Sequence, residues 1–204
     1  MPATALAKLI VLPPQIERLS GSLWQGDAAL TGGYTLHWDT RLGGLVLGRL
    51  GADVTLTGAD TLLAGQLRAS PRQMSLRDLA GRAGPGLLEL IPGLAVTGCT
   101  SRAVVDVPLL ALGRSRAAAD GTVTLDAGAC TTYDGTDIAV PALTLTLTTQ
   151  GPDAVADLTD AAATPLAQIT VAGDHRLILR LDPAGAMLIP GLPTSGPIIL
   201  EYPF

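Results

Sequence analysis

The chain is predicted to be all-β, a large twisted antiparallel sheet with one or two short helices, on three observations. Short segments of alternating apolar and polar residues recur roughly every ten positions, and Gly, Asp or Pro separates them. The clearest, Leu143-Thr144-Leu145-Thr146-Leu147-Thr148, places Leu143, Leu145 and Leu147 on one buried face and the hydroxyls on a wet one. Helical periodicity is confined to brief stretches.

Taken in order, Ala3 to Leu12 could form two or three helical turns, ending before Pro13-Pro14. Strand signals then follow at Ala28–Leu30, Tyr34–Trp38, Leu45–Leu50, Val54–Leu56, Leu62–Ala69 and Met74–Leu76. Ser75 as a cap ahead of Leu76 and Leu79 predicts a helical turn around Leu79, and Gly86 to Ile91 predicts another around Leu88, stopped by Pro92-Gly93. The strand rhythm resumes from Leu94 to Val107 and continues through Leu109–Ser115, Thr122–Ala127, Ala129–Tyr133, Val140–Thr148, Ala154–Asp160, Ala167–Val171, His175–Leu181 and Pro197–Tyr202. Composition hardly changes along the way, so residues 1–204 read as one domain with a pseudo-division near Pro92.

Aromatic residues are scarce: two Trp, three Tyr and one Phe. Both tryptophans fall between Leu19 and Trp38, where Tyr34, Leu36 and Trp38 share one strand face. Trp24, Gly26, Tyr34, Leu36 and Trp38 are therefore the expected fold anchors, the glycine marking a turn or bulge. A sheet of so many strands either closes on itself or stays open as a curved half-pipe with an apolar concave face. The pattern alone favours closure; an open groove would mark lipid or partner binding.

With 15% charged and 48% apolar residues the chain is globular, and a net charge of −5 with a single lysine, Lys8, argues against a nucleic-acid partner. No apolar run reaches the length of a membrane-spanning helix. Ala5 to Leu12 reads as the end of a truncated segment, which implies a membrane anchor upstream. Cys99 and Cys130 lie in strand-like segments and are not spaced as a redox pair or a zinc site. In an oxidising compartment they could bridge neighbouring strands; in a reducing one they are two small buried hydrophobes.

No catalytic constellation is legible. His37 and His175 each have a carboxylate nearby, Asp39 and Asp174, yet neither belongs to a cluster with metal-ligand spacing. No nucleophile elbow, phosphate loop or dinucleotide fingerprint occurs. Gly81 to Gly86 is a glycine-rich loop, Asp134-Gly135-Thr136-Asp137 is a turn, and Asp153, Asp157 and Asp160 read as a solvated strand edge. Neither a cofactor nor a metal is expected.

The segment Leu19-Ser20-Gly21-Ser22-Leu23-Trp24-Gln25-Gly26-Asp27-Ala28, the strand ending Leu36-His37-Trp38 and the Leu/Gly run from Leu42 to Leu50 resemble type II secretion system protein N. The resemblance covers essentially the whole chain as the β-rich periplasmic domain of that inner-membrane family; the family's transmembrane helix has no counterpart in these residues. It implies a non-enzymatic accessory role in protein secretion, contact with inner-membrane platform proteins, and no cofactor. It also implies a periplasmic location with an inner-membrane anchor, where a Cys99–Cys130 disulfide fits. Periplasmic β-groove proteins of the lipopolysaccharide-transport type look similar in architecture, and that analogy raises the open groove to equal standing with the closed core. It makes a lipid or hydrophobic ligand, lying against Leu143, Leu145 and Leu147, the alternative partner.

Overall fold

The computed structural model describes residues 15–41, 43, 48–90, 96–132, 135–188 and 192–204. The helix expected over Ala3–Leu12, the first half of the strand expected at Leu45–Leu50 and the division expected near Pro92 lie outside these residues.

Among the described residues, sixteen strands form two antiparallel sheets. The first six are β1 (Ile16–Gly21), β2 (Gln25–Leu30), β3 (Tyr34–Arg41), β4 (Leu50–Gly58), β5 (Thr61–Ser70) and β6 (Gln73–Ala83). Then come β7 (Val96–Thr97), β8 (Ala103–Gly113), β9 (Ala117–Leu125), β10 (Gly128–Thr132) and β11 (Asp137–Val140). The last five are β12 (Leu143–Gln150), β13 (Asp153–Asp160), β14 (Pro165–Val171), β15 (Arg176–Leu181) and β16 (Ile198–Pro203). Thirteen of them make one sheet in the order β1-β2-β3-β4-β5-β6-β8-β9-β12-β13-β14-β15-β16, a meander interrupted only where β7, β10 and β11 leave to form a small sheet of their own. The two outer strands, β1 and β16, do not pair with each other, so the large sheet is open.

Its register carries the amphipathic pattern across every strand. One row of directly paired residues runs Leu19, Ala28, Leu36, Leu56, Leu63 and Gly81 through β1 to β6, then Val105, Val123, Leu145, Leu158, Ala167, Leu181 and Ile198 to the far edge. Every member is apolar or glycine. Directly paired residues share a face and the next row points the other way. That next row begins Ser20, Asp27, His37 and Thr55, and later passes Asp106, Thr122, Thr146, Asp157, Gln168 and Arg180. A sheet with one apolar and one polar face must shield the first, and thirteen twisted strands do so by curling.

A crease assists the curl. In β6 two residues, Asp78 and Leu79, oppose the single Gly65 of β5; in β8 Val107 and Pro108 oppose the single Gly121 of β9. Asp78 has φ 51° and Gly121 has φ 141°. These are β-bulges, and the one in β8 lets an interior strand accommodate a proline at mid-length. The bulge also corrects the helix expected around Leu79, because an extra residue lets Leu76 and Leu79 face the same side of a strand at a spacing that imitates a helix. It likewise merges the two segments expected on either side of Pro108 into the single strand β8. Near Leu88 the chain forms a 3-10 turn, Pro85–Leu90.

Four-residue helix α1 (Pro183–Ala186) starts with proline at its first position, where the missing N–H costs nothing, and buries Gly185 and Ala186 near β14. Where β9 and β12 part, Thr149 replaces a strand partner: its hydroxyl accepts the Ala119 N–H at 2.9 Å and donates to the Ala119 carbonyl at 2.8 Å. Cys99 and Cys130 form a disulfide, fastening the small sheet to the segment that precedes β8.

Candidate functional site

Two hollows lie on the apolar face. The larger, about 600 Å³, is lined by Leu67, Leu76, Leu110, Ala117, Val171 and Tyr202 among others, and thus by residues from β5 to β16. Those two strands stand eight places apart in the sheet, about 38 Å if it were flat. A single hollow touching both shows that the open sheet curls around its apolar side. The second hollow, about 530 Å³, is bounded by Leu23, Trp24, Leu36, Trp38, Val54 and Leu67. Leu67 lines both, so the two are stretches of one trough. Val107, Ala117 and Ala119 are buried at its floor, whereas Leu50, Met74, Leu200 and Tyr202 on the same face remain exposed. No described residue covers them.

The expected anchors divide. Tyr34 is buried, held between glycines: a Cβ on Gly58 would overlap its ring, and one on Gly86 would lie 2.6 Å from its hydroxyl. Gly26 is buried beneath Trp38, whose Cη2 would be 2.9 Å from a Cβ there; Trp38 and Leu36 are half-buried. The Trp38 indole N–H donates to the Ser22 carbonyl at 3.2 Å. Trp24 differs. It sits in the turn between β1 and β2 and is 43% exposed, because its place at the trough mouth leaves one side in solvent. Leu143, Leu145 and Leu147 share the apolar face through their pairing with Leu125, Val123 and Gly121, although neither hollow is lined by them.

The polar candidates are engaged elsewhere. His37 Nδ1 lies 2.8 Å from Asp27 Oδ1, across the strand pair and not beside Asp39, on the exposed polar face. His175 has φ 66° and its Nε2 donates to the Arg114 carbonyl at 3.0 Å. Asp153 accepts the Gly173 N–H, Asp157 accepts from Gln168 Nε2, and Asp160 accepts the N–H groups of Ala162 and Thr164. These three are structural acceptors on β13, an interior strand, which corrects their reading as an edge. Among the described residues no group of histidine, cysteine, aspartate and glutamate is arranged to hold a metal ion. Sequence reasoning missed the arginines that crowd one end of the trough, since residues far apart in the chain meet there only after folding.

An open all-β protein with one continuous amphipathic sheet, apolar within and polar without, is the class these features define. Comparison with protein families sharpens that: residues 14–183 match the family described as type II secretion system (T2SS), protein N. The match takes in most of the chain and contains fifteen of the described strands, β1 to β15, so the chain belongs to this family. No characterised protein and no solved structure matches it.

Proposed function

We propose that this protein is a non-enzymatic accessory component of the type II secretion system, located in the periplasm, anchored at the inner membrane, and acting through contacts with inner-membrane platform proteins. Family membership over residues 14–183 carries the reading. The disulfide supports the location, because such bonds persist in oxidising compartments. Outer strands that pair on one side support the mode of contact: no described strand pairs with the far edge of β1 or of β16. Photo-crosslinkers placed at Arg18 on β1 and Ile199 on β16 test it in secreting cells. Adducts with platform proteins, together with lost export when the protein is deleted, are the expected result. Normal export without the protein would refute the role, and adducts absent from both edges would refute the contact surface.

The open trough favours a second reading, a module that binds or transfers a lipid or other hydrophobic ligand. An apolar chain would lie in the hollow over Leu67, Leu76 and Leu110 and extend along the face that Leu143, Leu145 and Leu147 share. Native mass spectrometry with lipid extraction decides between an occupied trough and an empty one.

A further inference from the structure

The connections at the two ends of the large sheet carry opposite charge. At the end where β3, β5, β8 and β14 finish, the described turns and strand termini carry Arg41, Arg49, Arg72, Arg114, Arg116 and Arg176 against two carboxylates, Asp153, which accepts the Gly173 N–H, and Asp174, which Arg176 holds. At the other end the turns and strand termini carry Asp60, Asp126, Asp160 and Asp182, and Arg102 there is paired with Asp60. In a chain of net charge −5 this partition makes one pole cationic.

Most of these cations lack a carboxylate partner: Arg68 donates to the Gln66 side chain and Arg116 to the Gly151 carbonyl, neither of which neutralises the charge. On the polar face at this end, a hollow of about 530 Å³ is bordered by Arg41, Arg49, Arg68 and Arg77, of which only Arg41 meets a described carboxylate, Asp53. The Arg72 turn touches the next one, since a Cβ on Gly113 would lie 3.4 Å from the Arg72 carbonyl and 3.3 Å from that of Arg116. Arg49, Arg68, Arg72, Arg77, Arg114 and Arg116 are exposed and form no ion pair with a described carboxylate.

Apolar side chains project at the same pole. Leu23 and Trp24 in the β1–β2 turn, Met74 at the start of β6 and Phe204 after β16 are all at least two-fifths exposed. The trough opens among them: Trp24 borders one hollow, Met74 and Phe204 the other, and Leu50, Gly51 and Ala69 border both the Trp24 hollow and the arginine hollow. A rim that mixes arginine with Trp, Phe, Met and Leu matches an anionic bilayer surface, where phosphates meet the cations and the apolar groups enter between headgroups. An acidic protein surface would satisfy the arginines but leave the projecting apolar groups without a counterpart.

We propose that this pole of the sheet docks on a phospholipid surface containing anionic lipid. The inference stands apart from the secretion role and from whatever the trough holds. Sedimentation of the purified protein with phosphatidylcholine vesicles containing about 30% phosphatidylglycerol tests it. Binding is expected to weaken with salt and to be far lower on pure phosphatidylcholine. Each interfacial arginine contributes about fivefold to such binding, so Arg72→Glu with Arg114→Glu should lower it by roughly 25-fold or more. Arg102→Glu at the opposite pole, also a charge reversal, should leave it unchanged, and melting curves confirm that the variants are folded. The Trp24 emission should shift to the blue on anionic vesicles in a Trp38→Phe background. Failure to sediment at low salt, equal binding to neutral vesicles, or equal loss from Arg102→Glu would each overturn the proposal and leave the arginine pole to an acidic protein partner.

Discussion

Gly58 on β4 packs face to face against the ring of Tyr34 on β3, with no room for a Cβ between them. From the far side Gly86, in the Pro85–Leu90 turn, approaches the same hydroxyl. Tyr34 is the most buried aromatic residue described, and two glycines make its site. Gly58→Ala should therefore lower stability by about 2–3 kcal/mol, the usual range for forcing a methyl into a packed site. Tyr34→Ala should cost about 3–5 kcal/mol by emptying it. Denaturant unfolding measures both; a neutral Gly58→Ala would show that the ring moves aside freely.

The crease offers a second test. Gly121 has φ 141°, and a Cβ there would lie 2.6 Å from both the Asp106 carbonyl oxygen and the Val107 Cα, beside the Pro108 ring. Gly121→Ala combines backbone strain with a steric overlap and should cost about 3 kcal/mol. Pro108→Ala removes no donor that the bulge uses and should be milder. If the crease helps to curl the sheet, Gly121→Ala should also increase the binding of a hydrophobic dye to the apolar face, which a purely local defect would not do.

How much of this was legible depends on range. The Leu143 to Thr148 alternation marked the apolar face of β12, because the side-chain period of a strand is a local property; the other row is less wet than expected, since Thr146 is exposed but the Thr148 hydroxyl is buried. Leu76 and Leu79 misled, because a bulge changes that period within one strand and nothing nearby in sequence marks it. Whether the sheet closes was beyond reach: it depends on whether β1 meets β16, which lie at opposite ends of the chain. Trp24 and Trp38 look alike in sequence, yet Trp38 covers Gly26 while Trp24 stands at the trough mouth. The arginine pole is invisible for the same reason, since its connection arginines, Arg49, Arg72, Arg114 and Arg116, come from three separate connections.

Acid should weaken the β13–β14 turn in a defined direction. The Asp160 carboxylate accepts backbone N–H bonds from Thr164 and Ala162, which hold its pKa below the ordinary 3.8 despite an opposing desolvation effect. Because the folded-state value is depressed, the stabilisation is present above the unfolded value and disappears as pH falls through the folded one. Wild type should thus melt above Asp160→Ala by a constant margin at neutral pH, and the gap should narrow only below about pH 4. A margin that persisted unchanged to about pH 2 would show that the charge on Asp160 contributes nothing. Ala163, next in the turn, has φ 60°, so Ala163→Gly should raise stability by about 1 kcal/mol as the left-handed strain is relieved.

Reduction of the disulfide should act on one part of the molecule before the rest. Cys99 and Cys130 are 31 residues apart in sequence, and their bond joins β10 of the small sheet to the segment just after β7. Loop closure of that length stabilises by roughly 3–4 kcal/mol in the chain-entropy model. The small sheet has only three short strands, and two of its members, β7 and β10, pair over just two residues. Thr100 adds local ties to Ala129, accepting its N–H at 3.0 Å while the Thr100 N–H reaches the Ala129 carbonyl at 3.0 Å. Those bonds alone are too few to hold such a sheet once the covalent link is gone. Hydrogen exchange after reduction should therefore rise first over 96–100 and 128–140, while β8, held on both sides by β6 and β9, stays protected. Uniform loss of protection across both sheets would mean that the small sheet and the large one unfold as a single cooperative unit.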